Sequence, residues 1–575
     1  MAITLRHLVV GLLLFSGGAL WFVFGRSQWW YSTQFIVLAL QIAFSLLPAV
    51  NRWISNRLDS IRILSPRAKT LTALSIGVLG MGYLFLSAIQ QKRDLFPKYH
   101  DESMHLIQAR QLAGGHLWMP PHELPQFFET FHVFVTPVYA AMQFPGTSLL
   151  YVPGIWLHLP YWITPLAIAG VCIGLLFRIV SELIDGVAGV LASIMLLGTL
   201  EFRYLSVMVL SNSAALLLGL CMVWAWLRWR SHQTATAACC IGAFAGWAAI
   251  TRPPDAVCFA LPIGIAMAHQ LFHRSPKAKL TAALCLIAGA APFLLLQLYF
   301  NQGVTGHWFD SPHERYVRTF HPGGGYGSPH DKSTGRPQTT LQQKLDYYDG
   351  YITRDVGRYS PSTAPRIWID ERLPKLFKAS LPNLLFISLL PCGLLGIRRR
   401  EIWVVVGVCP LFIAFYAFSI FFASQYCLIN AAALIPLALL GAREIEGIFP
   451  NQHRILATTS TIAIAALSFT QLPQFNPAIT EQYESKTLSA VESALKNIPG
   501  RAVVFFRYQR YDNVHEEPVY NIEAADIDSQ RIVRAQDLGP TENPKLIRYY
   551  AQWQPDRQAY LFNRADRTLT KLPSP

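Results

Sequence analysis

Leu280-Thr-Ala-Ala-Leu-Cys-Leu-Ile-Ala-Gly-Ala-Ala-Pro-Phe-Leu-Leu-Leu-Gln-Leu-Tyr299 contains no Asp, Glu, Lys or Arg. A helix of about 20 such residues, rising about 1.5 Å per residue, crosses the hydrocarbon core of a bilayer. A helix packed on a soluble core would keep a polar face, and this stretch has none. Lys277 and Lys279 stand just before it and a long polar segment begins at Asn301. A basic loop on one side and a polar loop on the other is how a membrane span is flanked.

The same pattern recurs outward along the 575 residues, 52% of which are hydrophobic and 14% charged; soluble proteins carry about 25% charged residues. Spans are expected at 7–25, 31–49, 70–90, 161–181, 186–204, 208–227, 235–251, 256–273, 280–299, 379–396, 402–422, 427–442 and 455–471. The basic clusters Arg52–Lys69, Arg228 with Arg230, Arg274–Lys279, Arg398–Arg400 and Arg443–Arg454 then share one side, the cytoplasm. The N-terminus lies inside as a retained first helix, with no small-residue cleavage site before Arg26. The net charge of +14 is thus a topological signal and not a nucleic-acid surface. All nine cysteines sit in or beside apolar segments, so no disulfide framework is expected.

The expected architecture is a polytopic α-helical membrane protein of about thirteen spans with a small extracytoplasmic α/β domain. Residues 1–69 form two N-terminal helices and a basic loop, 70–471 the transmembrane core with outer loops 91–160 and 301–378, and 472–575 the outer domain. The first loop has an amphipathic stretch, Met104 to Ala113, expected to lie on the membrane surface. His321-Pro-Gly-Gly-Gly-Tyr-Gly327 is a candidate lid. In the tail, helices are expected near Ser485–Asn497 and Pro544–Gln552, with strands at 501–506, 532–533 and 559–562.

Tyr99-His-Asp-Glu-Ser103 follows the third span directly. Carboxylates at a membrane boundary must be solvated, paired or used. Asp101 suits a general base toward a hydroxyl, and Glu102 a metal ligand or orienting group; a solvated helix cap explains the pair as well. His100, Asp101, Glu102 and His105 also read as a metal cluster, but no second ligand pair at a recognisable spacing exists, and no metal or other cofactor is expected. Arg252, at an outer span boundary, is suited to phosphate, or to an ion pair with Asp255 or interfacial snorkelling. Arg315 and Arg318 are further phosphate candidates, Tyr316 a sugar-stacking one, unless all three belong to a solvated loop.

The run Tyr-x-Asp-Glu-x₆-Ala-x₂-Leu-x₂-Gly after a span resembles the first outer loop of the C-superfamily glycosyltransferases, which take sugars from polyprenyl-phosphate carriers and include protein O-mannosyltransferases and aminoarabinose transferases. Four further segments are similar to that family's: Phe144-Pro-Gly-Thr-Ser-Leu-Leu150, Leu210-Ser-Asn-Ser213 (with Asn212 where some members have His), Thr251-Arg-Pro-Pro-Asp-Ala256 and Tyr299-Phe-Asn-Gln-Gly-Val-Thr-Gly306. The resemblance covers roughly residues 70–445. It implies that Asp101 is the catalytic carboxylate with Glu102 beside it, that Arg252, Arg315 and Arg318 hold the donor phosphate, and that His105, Asn301, Tyr316, Gln425 and Tyr426 contact substrate. Relatives often carry Arg-Tyr where this chain has Gln425-Tyr426, which throws the phosphate onto Arg252. The implied partners are a polyprenyl-phosphate sugar, an unspecified lipid, glycan or protein acceptor, and membrane lipid. The implied place is the outer face of a bacterial inner membrane. A transporter or flippase is the main rival, although the spans hold few of the midplane charges it needs. A non-catalytic envelope assembly protein is the other.

Overall fold

A computed structural model describes residues 5–25, 31–325, 335–397, 401–448, 455–469, 485–510 and 512–573. The basic cluster Arg398–Arg400, the lid candidate from Tyr326 onward and the start of the tail lie outside the described residues.

The chain is mostly helical, as a hydrophobic run without internal turns requires. Among the described residues, five helices are long and apolar enough to cross a bilayer: Arg6–Phe24, Pro66–Gln90, Ile163–Leu183, Pro276–Thr305 and Ser424–Glu446. Two sharply bent pairs raise the number to seven. The first bends by 93° where Leu46 gives way to Pro48, so the expected span 31–49 stops short and an amphipathic helix Pro48–Arg62 turns away. Proline at the first position of a helix favours such a restart. The second bends by 100° between Ser380 and Leu384, inside the expected span 379–396. There Pro382 cannot continue the helix, and the Asn383 side chain caps the new turn by accepting from the Leu385 N–H at 2.9 Å. Four further apolar helices among the described residues are shorter than 18 residues. Gly186–Gly198 has 13 residues, about 20 Å at 1.5 Å per residue, less than the roughly 30 Å hydrocarbon core.

The first outer loop corrects an expectation. Helix His100–Ala113 does not lie on the membrane surface, since Glu102 to Ala109 are all buried. It is covered by helix Gly146–Trp156 on one side and by the tail on another.

The tail forms a four-stranded sheet in the order Ile532–Gln536, Ala502–Arg507, Gln558–Asn563, Thr568–Lys571, the first three parallel and the last antiparallel. Side chains alternate between faces along a strand. Val504 and Phe506 pack with Val491 and Leu495 of helix Lys486–Lys496. Val503 and Phe505 belong to a core that also holds Leu546 and Tyr550 of helix Asn543–Trp553 and, from the first outer loop, Phe127, Phe128, Met104 and Ile107. The rings of Phe127 and Phe505 are 6.0 Å apart. The tail thus shares one of its two cores with the outer loop. Its acidic turn serves that junction: Asp528 accepts from Tyr550 at 2.7 Å and from Tyr549 at 2.9 Å, and lies 3.1 Å from His122 Nε2.

Candidate active site

Glu102 fixes the start of the helix that carries Asp101. Its Oε1 accepts from the Lys98 N–H at 3.0 Å and the Tyr99 N–H at 3.4 Å, and its Oε2 from the Val209 N–H at 3.0 Å. Burial lifts its carboxyl above the ordinary range, against the pull of those three backbone donors. This is a capping box whose acid also ties the helix to the segment before Ser211. Glu102 is therefore an anchor turned away from Asp101, with both oxygens occupied by backbone.

Asp101 is placed differently. Its Oδ1 is buried 2.9 Å from His132 Nδ1, while 41% of the side chain remains open, so the exposure lies away from Oδ1. Burial alone pushes the Asp101 carboxyl up, but the contact with His132 and the fields of His132, His105 and His100 outweigh it and hold the group below the usual carboxylate range. Asp101 is an anion at neutral pH.

His132 is held at both ends of its peptide. Its N–H donates to the Tyr316 hydroxyl at 2.8 Å and its carbonyl accepts from the Met142 N–H at 2.9 Å. Its φ of 62° lies in the left-handed region, uncommon for a residue with a side chain and frequent at functional sites. Tyr316 is fully buried, so it supports His132 from below and offers no face to a sugar.

More imidazoles surround the carboxylate. Burial brings His105 and His313 down to about 4, so both are neutral at pH 7. His105 is held against Ser148 at 3.3 Å, and Ser148 donates to Gln108 at 2.7 Å. His100, pushed well down by burial, takes a 2.9 Å contact from the hydroxyl of Tyr520 in the tail.

Arg252 closes the other side. Its Nε donates to Asp255 at 2.6 Å, Nη1 to Ser211 at 3.1 Å and Nη2 to the Tyr416 hydroxyl at 2.7 Å; that hydroxyl donates on to Asp255 at 2.8 Å. A guanidinium has five N–H groups, so one remains on each terminal nitrogen. The ring of Tyr426 lies under the charge, 4.6 Å from its centre. His105, His313 and Tyr426 each feel both the Asp101 carboxylate and the Arg252 guanidinium. The turn bearing Arg252 is set by Gly146, whose N–H donates to Ile250 at 2.7 Å and whose carbonyl accepts from Trp247 at 2.7 Å. A Cβ on Gly146 would stand 2.4 Å from the Ile250 oxygen, so the close approach needs glycine. Segments beginning at Tyr99, Phe144, Leu210 and Thr251, far apart in sequence, are thus joined to one another by hydrogen bonds.

No family model and no curated protein matches the sequence. Among solved structures the chain is similar to ArnT from Cupriavidus metallidurans bound to undecaprenyl phosphate, at 12% identity and a TM-score of 0.48, covering 84% of this chain and 92% of that one. It is also similar to the arabinofuranosyltransferase AftD from Mycobacteria, at 13% identity and a TM-score of 0.42, covering 82% of this chain but 32% of the other. An oligosaccharyltransferase from Archaeoglobus fulgidus gives 14% identity and a TM-score of 0.42, with 75% and 60% covered. These neighbours are C-superfamily glycosyltransferases.

Three expected site residues lie elsewhere. Arg315 and Arg318 both pair with Asp310, at 2.8 and 2.5 Å, on the open face of helix Pro312–Phe320, whereas His313 and Tyr316 face inward. Asn301 is buried and structural: it donates to the Trp308 carbonyl at 2.8 Å and accepts from Gln297 at 2.7 Å, closing the loop after its helix. Gln425 shares the half-buried turn of Tyr426. No group of three or more His, Cys, Asp or Glu side chains that could hold a metal ion occurs among the described residues. His132 has no sequence signature; only the fold brings it to Asp101.

Proposed function

We propose that this multi-pass membrane protein transfers a sugar from a polyprenyl-phosphate carrier to an envelope acceptor at the outer face of a bacterial inner membrane, with inversion at the anomeric carbon. The thirteen-span topology, with the N-terminus inside and the tail outside, belongs to the same reading. The observation that supports it is the arrangement itself: a partly open Asp101 held on one oxygen by His132, and an Arg252 that spends three of its five N–H groups on Asp255, Ser211 and Tyr416 over the ring of Tyr426. The acceptor hydroxyl gives its proton to Asp101 Oδ2 as its oxygen bonds to the anomeric carbon. The bond from that carbon to the phosphate oxygen breaks, and its electron pair leaves on the polyprenyl phosphate, held by the two remaining N–H groups of Arg252. Positive charge grows on the sugar and negative charge on the phosphate, so opposite charges on the two sides stabilise the transition state. His105 and His313, held neutral by burial, add no charge of their own to the pair. The donor class comes from the sequence resemblance, and the acceptor is left as an envelope hydroxyl.

The test uses purified protein in liposomes, a panel of polyprenyl-phosphate sugars and an envelope extract, with product followed by mass spectrometry. Asp101→Asn is expected to keep its fold and lose donor consumption by at least about 100-fold, as for loss of a general base. Unchanged turnover in that variant refutes the assignment. Lipid crossing the bilayer with no donor consumed by the wild type would replace transfer by transport.

A further inference from the structure

A slot of about 420 Å³ runs between helices Pro66–Gln90 and Ile163–Leu183, with Trp224 of helix Ser211–His232 at its edge. Its floor is backbone. A Cβ on Gly77 would meet the Gly170 oxygen at 2.7 Å, so the two helices touch through glycine and leave a trough where side chains would stand. Leu74 and Val78 form its lip and face outward, each 63% exposed. From Thr70 to Met81 the trough extends about 16 Å at 1.5 Å per residue, about half the hydrocarbon core and so the depth of one leaflet.

The slot is apolar along its length and cationic at one end, where Thr70 and Arg178 line it. Arg178 Nη2 lies 2.7 Å from Glu182 Oε1, and Arg228, one turn beyond Trp224, is paired with the same carboxylate. Lys69 donates to the Ser181 carbonyl at 2.7 Å. Three cations therefore share one carboxylate, since the next acid, Asp185, is taken by Arg443. Arg178 Nη1 and Arg228 Nε are buried with no hydrogen-bond partner among the described residues. A buried guanidinium N–H without an acceptor is costly, and a surplus of positive charge selects an anionic one.

We infer that this slot binds an anionic phospholipid of the surrounding leaflet, with one acyl chain on the glycine floor and the phosphodiester on Arg178 and Arg228. It is separate from the site at Arg252. Ser211, which contacts Arg252, and Arg228 are 17 residues apart on one helix, about 25 Å. The arrangement of basic loops assigns the slot to the inner leaflet, opposite the carrier proposed above. The depth of one leaflet fits an acyl chain rather than a long polyprenyl chain.

Native mass spectrometry of the full chain in detergent, titrated with phosphatidylglycerol or phosphatidylcholine of matched chains, reads the site directly. One phosphatidylglycerol is expected to bind about tenfold more tightly than phosphatidylcholine, and Arg178→Gln with Arg228→Gln to abolish the difference. Val78→Trp, which fills the slot from its lip and leaves the charges intact, is expected to weaken phosphatidylglycerol binding by a similar factor, so the outcome does not rest on a charge variant that fails to fold. Equal binding of the two lipids, or wild-type binding in Val78→Trp, overturns the proposal. Displacement of phosphatidylglycerol by an equal concentration of polyprenyl phosphate also overturns it, and gives the slot to the carrier. None of these readouts depends on transferase activity.

Discussion

Replacing Gly146 by alanine is the sharpest test of how the site is assembled. The added Cβ would sit 2.3 Å from Thr251 Oγ1 and 2.4 Å from the Ile250 carbonyl oxygen. Thr251 can rotate, but the Ile250 oxygen is backbone, so the two segments must separate by about 1 Å to reach ordinary contact. Such overpacking costs about 1–3 kcal/mol. Separation also stretches the Gly146 N–H to Ile250 and Trp247 Nε1 to Gly146 hydrogen bonds, both 2.7 Å, each contributing about 1 kcal/mol. The expected loss of stability is therefore about 2–5 kcal/mol. Because Thr251 precedes Arg252, a shift of about 1 Å there should lower donor turnover roughly 100-fold in the fraction that remains folded. Denaturant unfolding in mild detergent gives the first quantity and turnover in liposomes the second. Gly264→Ala supplies the contrast: it lies within a helix, nothing approaches its Cβ position within 4 Å, and it should be neutral or stabilising by up to about 1 kcal/mol. Wild-type stability and turnover in Gly146→Ala would show that the Phe144 and Thr251 segments do not depend on this contact and would refute the reasoning.

His132→Asn tolerates the same backbone but is too short to reach Asp101. The Asp101 value is depressed in the folded protein, so its anionic form persists into acid; without His132 the acid limb of the pH–rate profile should move toward neutrality by about one pH unit. That follows from about 1.5–3 kcal/mol for a charged hydrogen bond, discounted for partial exposure, at 1.36 kcal/mol per unit; an unmoved limb refutes the pairing. Glu102→Gln should destabilise by about 1–3 kcal/mol, because an amide nitrogen replaces one accepting oxygen. Glu102 has a raised folded value, so its contribution is present in acid and declines as pH rises through that value; unfolding measured from pH 4 to 8 should lose this decline in the variant. Arg318→Ala, at an exposed pair with Asp310, should leave donor turnover within about twofold; a tenfold loss would return Arg318 to the phosphate site.

The membrane class was legible because lipid imposes a rule on every residue of a span, and runs such as 280–299 obey it. Span continuity was harder to read. Pro48 and Pro382 are visible breakers, but they sit inside apolar windows that average them away. The site divides in a similar manner. Asp101, Gly146, Ser211, Arg252 and Tyr426 lie in local motifs, and the fold collects them. His132 stands in a loop with no pattern, and its role depends on a contact with Tyr316 from 184 residues away. Arg315 and Arg318 mislead because a basic residue near a site is easily taken as part of it; the inward positions His313, Tyr316 and Val317 mark the opposite face of that helix. In the strand Ala502-Val-Val-Phe-Phe506, apolar residues at successive positions signal cover on both faces, but not that the first outer loop supplies one of the covers.

That shared cover has a bearing on when the protein becomes competent. The hydroxyl of Tyr520 reaches His100 across 420 residues of chain, and the core beneath the Asp101 helix is completed by Val503, Phe505 and Leu546. A ribosome adding about 5–20 residues per second therefore delivers Asp101 roughly 20–90 s before Leu546, the last of those three. For that interval the nascent chain holds the Asp101 helix without its cover, and a product truncated before Val503 would hold it so permanently. Synthesis from end to end thus acts as a timer, with a fully seated Asp101 helix arriving last.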